Sequence, residues 1–145
     1  MFAPLIAAAA YLIYSLWASQ LFPKGAGHIL GASTGVDMTA NNIKFLFYSG
    51  AITTTWEFVS DLTGGSIVAR SGNLASKTTT NGVFDAADVT VTAVSGSAFT
   101  HLILYADTGT DSTSRLICVF DVASFTPTGG DISVIWNASG LFSIA

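Results

Sequence analysis

The side chains able to do chemistry are few and far apart. Two histidines, one cysteine and nine acidic side chains are spread over 145 residues. A metal site needs clustered His, Cys or carboxylate ligands, and His28, His101 and Cys118 form no such cluster along the chain. Cys118 lies in the apolar run Leu116-Ile117-Cys118-Val119-Phe120, where a thiol packs as a small hydrophobe. A lone cysteine also leaves no intrachain disulfide to form. His101 sits in Phe99-Thr100-His101-Leu102-Ile103 and by strand alternation shares a face with Ile103 and Tyr105. It reads as a sheet-face histidine. Asp85 and Asp88 bracket Ala86-Ala87 and have the local form of a paired-carboxylate catalyst, but no third polar partner accompanies them. They read as a capped turn entering a strand.

Asp107-Thr108-Gly109-Thr110-Asp111 alternates oxygen-bearing residues as a calcium loop does, without the downstream bidentate glutamate. Gly25-Ala26-Gly27-His28 follows no strand and has no closing Lys-Ser/Thr pair, so it is no phosphate loop. No Gly-x-Ser-x-Gly elbow occurs. Asn137-Ala138-Ser139 is a glycosylation sequon that matters only in a eukaryotic secretory setting. The expectation is a protein with no catalytic residue, cofactor or metal, and not an enzyme. Trp17, Trp56 and Trp136 are the residues a sugar-binding module would use, but three scattered tryptophans suit cores and interfaces better.

The elements that hold these residues are mostly short strands. Ile43–Tyr48, Ser66–Arg70, Lys77–Thr80, Val89–Val94, Phe99–Tyr105, Leu116–Val122, Ile132–Trp136 and Leu141–Ile144 read as strands. Asn81-Gly82, Ser95-Gly96 and Gly129-Gly130 mark turns between them. Thr55–Leu62 reads as one helical turn or an extended connection. Seven or eight short strands with frequent turn signals predict a mainly β, antiparallel β-sandwich, jelly-roll-like or Ig-like.

Half the residues are apolar and a tenth are charged. Ordinary domains carry about a quarter charged residues. So little charge implies a surface that meets another chain or a membrane. The five basic residues, Lys24, Lys44, Arg70, Lys77 and Arg115, stand singly, and the net charge is −4. No basic patch exists to pair with phosphates, which excludes nucleic acid as a partner.

Met1 to Phe22 carries no charged side chain, and Pro4 and Pro23 bracket its apolar run. The segment reads as an apolar helical arm, residues 1–23, buried against other protein. A membrane helix is the alternative, at the short limit of length. A cleaved signal would want a basic start, which is missing. On that helix Leu5, Leu12 and Leu16 share a face and, with Trp17, are the candidate interface residues. Residues 24–42 read as a Gly-rich linker, and 43–145 as the β-sandwich domain.

From Ala69 onward the residues carry a resemblance. Ala69-Arg70-Ser71, Leu74 and Lys77-Thr78 lead into Gly82-Val83-x-Asp85-Ala86-x-Asp88-Val89-Thr90-x-Thr92-Ala93-Val94-Ser95-Gly96. Leu104-Tyr105-x-Asp107-Thr108-Gly109-Thr110, Ser114-Arg115-Leu116-Ile117 and Pro127-x-Gly129-Gly130-Asp131-Ile132-x-Val134-x-Trp136 continue the pattern. Lys24-Gly25, Asn42-Ile43-Lys44 and Phe58-x-Ser60-Asp61 fit upstream. This pattern resembles a family of small structural proteins of tailed bacteriophages, over roughly residues 24 to 142. The resemblance implies virion membership and carries over no catalytic residues. Met1 to Phe22 and the ending Asn137-Ala138-Ser139-Gly140-Leu141-Phe142 depart from it, and both departures raise apolarity. The expectation is a capsid decoration or cement protein, a homo-oligomer (a trimer by guess), with the major capsid protein or another virion protein as partner. A tail or baseplate position and a membrane-anchored β domain are the alternatives.

Overall fold

The computed structural model describes residues 5–8, 11–14, 19–31 and 35–144. They form a mainly β, antiparallel structure. The central sheet has five strands: β3 (Ser19–Leu21), β10 (Arg115–Phe125), β9 (Phe99–Ala106), β4 (Ile43–Gly50) and β5 (Gly65–Arg70), in that order. A second sheet runs β2 (Tyr11–Tyr14), β1 (Leu5–Ala8), β11 (Ile132–Ile135), β8 (Val89–Val91). A third runs β12 (Phe142–Ser143), β7 (Val83–Asp85), β6 (Thr78–Thr80).

The central strands read as near-continuous apolar runs because both of their faces are buried. Ile43, Phe45 and Phe47 of β4 enter one core, while Leu46 and Tyr48 enter another. The larger core is closed by Val91, Ile132 and Val134 of the second sheet and by Phe84 and Phe142 of the third. Phe47 stacks on Phe99 at 4.3 Å, and Trp136 stands edge-on to Phe45 at 5.7 Å. Ile103, Tyr105, Leu116 and Val119 complete the smaller core, roofed by Phe22, Val59 and the half-buried Ile52, Trp56 and Leu62. Thr55–Leu62, read as one helical turn or an extended connection, contains the 3₁₀ turn Val59–Asp61. Between β6 and β7 the pair Asn81-Gly82 takes φ of 51° and 78°, the two positive values a two-residue hairpin loop requires.

Among the described residues of the N-terminal segment the expected apolar helix is not found. Its described part is strand: β1 pairs with β2 and β11, and β3 pairs with β10. Tyr11-Leu12-Ile13-Tyr14 is rich in the aromatic and β-branched residues that suit a pleated surface, and strand pairing outweighs the high helix propensity of the neighbouring alanines. The helix comes later. Pro23, which brackets the apolar run, is the first residue of α1 (Pro23–Ile29), a position where its missing N–H costs nothing.

Helix α1 falls, apart from Pro23, in the stretch expected as linker, and Val36 and Met38 from the same stretch are buried in the larger core. Gly25 explains how a glycine-bearing helix is kept. A Cβ there would sit 2.3 Å from the Leu116 carbonyl oxygen and 3.0 Å from Ile117 Cα. Only glycine lets α1 lie directly on the β10 backbone. Gly25→Ala is therefore expected to cost about 1–3 kcal/mol, despite alanine's better helix propensity, read as a lower urea midpoint. An unchanged or raised midpoint would show that α1 does not rest on β10.

Candidate functional site

The densest polar cluster joins residues remote in sequence. Glu57, the chain's only glutamate, takes Lys24 Nζ on Oε2 at 3.1 Å and Arg115 Nη1 on Oε1 at 2.9 Å. His28 Nε2 lies 3.1 Å from the same Oε1 and 2.5 Å from Arg115 Nη1. Helix α1 supplies Lys24 and His28, β10 supplies Arg115, and the connection before the 3₁₀ turn supplies Glu57. The Phe58 ring lies 5.2 Å from the Arg115 guanidinium. Hydrogen bonding from His28, then from Lys24, holds the Glu57 carboxyl below its ordinary range. A carboxylate held this way is a poor general base, because its lone pairs are already taken. The cluster works as a clasp that fastens α1 to the sheet. Sequence reading missed it, since its members lie 29 to 58 residues from Glu57. The only signal was that one glutamate stands alone in the chain.

The remaining acids are similarly occupied. Asp61 accepts the Glu57 and Phe58 N–H groups at 2.8 and 2.9 Å. Asp37 accepts the Thr39 and Ala40 N–H groups. Asp107 pairs with Lys44 at 2.6 Å and accepts the Gly109 N–H. Asp111 takes Arg70 bidentately at 2.7 and 2.8 Å. The loop read as calcium-like is thus closed by the chain's own cations. Asp85 accepts the next residue's N–H, as a capped turn does, while Asp88 accepts the Trp136 N–H at 2.9 Å. Asp131 accepts the Ala93 N–H at 3.0 Å. These acids tie loops to strands. Among the described residues, no group of three or more His, Cys, Asp or Glu side chains is placed to hold a metal ion.

His101 lies across from Asp121 and Tyr48 on neighbouring strands. Its Nε2 is 3.2 Å from Asp121 Oδ1, and its Nδ1 is 3.1 Å from Thr100 Oγ1. The hydroxyl belongs to the preceding residue of the same strand, so this is a local contact rather than an assembled nucleophile and base. Burial lowers the His101 pKa from its ordinary 6.5, opposed by Asp121 and by the Gly50 backbone. The neutral form is favoured on folding, so stability is complete above pH 6.5 and falls as pH drops from there toward the lower folded value. His101→Gln is expected to flatten the loss of urea midpoint between pH 7 and 5. An unchanged slope would contradict this. Glu57, Asp37, Asp61, Asp107 and Asp111 all titrate below their ordinary values, so their contribution disappears only at still lower pH.

Cys118 is buried, and burial raises its thiol pKa. Trp136 is buried, and Trp56 stands edge-on to Tyr48 at 6.2 Å. Of the expected interface residues, Leu5 stands opposite Tyr14 and Ile135, and Leu12 opposite Ala7. The helical face that grouped them gives way to strand on β1 and β2. Leu16 and Trp17 lie outside the described residues. No helix among the described residues is long and apolar enough to cross a membrane. Among the residues whose side chains are described, the exposed large hydrophobic ones are Leu30 and Ile144, and the body's low charge is met by hydroxyls, as on the exposed Thr78–Thr80. Eighteen of the first 22 residues, by contrast, are apolar. No protein-family model matches the chain, and no curated protein matches it.

Proposed function

We propose that this chain is a virion structural protein of a tailed bacteriophage, a decoration or cement protein binding across adjacent major capsid subunits. We read its packed sheets as a jelly-roll-like or Ig-like β-sandwich. The observation that carries the reading is the use of the charged side chains: acids and bases are spent on ion pairs and loop caps, while apolar residues without charge gather in the N-terminal segment. That division suits a rigid body that binds through apolar contact. The resemblance across residues 24 to 142 supplies the virion setting. Each Å² of apolar surface covered on the capsid would contribute about 25 cal/mol, less the cost of association.

The test is cosedimentation of the purified chain with undecorated phage heads. Saturable binding at a fixed ratio to the major capsid protein is expected. A chain that stays at the top of the gradient at every concentration would refute the reading.

A further inference from the structure

We propose that Asn81 is a site of self-modification, where the Gly82 nitrogen attacks the Asn81 side chain and turns the residue slowly into aspartate and isoaspartate. The reaction needs only water. Gly82 N bonds to Asn81 Cγ, the Cγ–Nδ2 bond breaks, and Nδ2 leaves as ammonia with the proton that Gly82 gives up. Water then opens the cyclic imide at one of its two carbonyls. Opening at the side-chain carbonyl gives aspartate, and opening at the main-chain carbonyl gives isoaspartate. Nothing is oxidised or reduced.

The chain has five asparagines, and the structure sets this one apart. Asn41 Oδ1 takes the Asp37 N–H at 2.8 Å, Asn73 Oδ1 takes Lys77 Nζ at 3.3 Å, and Asn137 Oδ1 takes the Ser139 N–H at 2.9 Å. Asn42 precedes Ile43, whose branched side chain crowds the nitrogen that would attack. Asn81 is exposed, and its carboxamide makes no hydrogen bond among the described residues. Glycine follows it, so no Cβ stands beside the attacking nitrogen. Thr80 and Val83 form the closing pair of the hairpin, which leaves the Gly82 N–H outside the ladder.

Local opening supplies the motion the attack needs. Asn81 sits at φ 51° in a tight loop and must leave that shape for the nitrogen to reach Cγ. β6 is three residues long, exposed at each, and lies at the end of its sheet. Its threonines enter neither core. The loop can therefore open while Phe84 of β7 stays buried. The product then changes the hairpin. Isoaspartate adds a carbon to the main chain between β6 and β7, where residues 81 and 82 hold the paired positive φ of a two-residue loop. The Gly82 carbonyl also accepts the Ile144 N–H at 3.0 Å, so the residue after β12 loses a tie when the loop deforms. Each conversion adds negative charge to a chain already at −4. The inference is independent of the virion reading.

The experiment is peptide mass mapping of the full chain after weeks at neutral pH, with a second sample kept unfolded in urea. Trypsin releases Thr78–Arg115, whose one asparagine is Asn81 and which holds no glutamine. The expected result in the native chain is a mass gain equal to the exchange of NH for O in this peptide, with isoaspartate in excess of aspartate. It is expected to form at least about tenfold faster than at any other asparagine. The rate should rise with pH, because the attacking nitrogen must lose its proton. A native chain unchanged at residue 81, whether or not the unfolded chain converts, would show that the hairpin blocks the attack and would overturn the proposal. Conversion of Asn42 or Asn137 at an equal rate would overturn it too.

Discussion

Trp136→Ala is expected to destabilise the fold by about 3–5 kcal/mol, the largest loss from any single substitution considered. The indole is buried, with edge-on or tilted contacts to Phe45 at 5.7 Å and Phe120 at 6.2 Å. It therefore bridges strands β4 and β10 of the central sheet from the end of β11. Its Nε1 donates to the Ala87 carbonyl at 3.1 Å, and its backbone N–H goes to Asp88. Truncation opens a cavity and leaves the Ala87 carbonyl without its indole donor. Domains of this size have about 5–15 kcal/mol in total, so the variant would lose a large share of its stability. Urea unfolding followed by near-ultraviolet circular dichroism measures this. A change below about 1 kcal/mol would mean that Trp136 does not join the two sheets.

Deletion of residues 1–18 is expected to leave a folded body that no longer binds heads. The cut is placed to keep β3 and Phe22, because Phe22 is buried in the smaller core and its N–H bonds the Ile117 carbonyl at 2.9 Å. A deletion through residue 22 would remove both and confuse unfolding with loss of binding. The remaining body keeps its Trp56 and Trp136 environments, so its near-ultraviolet spectrum should persist. If two apolar side chains of the segment are buried at the capsid, their loss removes about 3 kcal/mol or more, at least about a hundredfold in affinity. Head binding within threefold of the full chain would show that the segment is not the contact.

The body was legible in the sequence where local signals agreed. Ile43–Tyr48, Phe99–Tyr105 and Leu116–Val122 became β4, β9 and β10 with small changes at their ends. The Asn81-Gly82 turn was legible because its chemistry is local. The first thirty residues were not. Alanines and leucines favoured helix over Met1 to Phe22, while strand pairing with β10 and β11, 97 to 130 residues away, decides the outcome. The glycines of α1 argued against helix, and the reason for Gly25 lies in the distant Leu116 carbonyl. The Glu57 clasp was hidden for the same reason. Its partners come from α1 and β10, and no spacing rule joins them. Asp85 was read correctly as a turn cap, but the use of Asp88 to hold Trp136 depends on β8 and β11 lying side by side.

The central claim is that this chain is bound to phage heads. Gold-labelled antibody raised against it, applied to purified phage particles and to host membranes, tests that most directly. The account predicts label spread over the icosahedral heads at many sites per particle. Label confined to tails would move the partner and contradict the capsid assignment, and label on membranes alone would contradict the virion reading altogether.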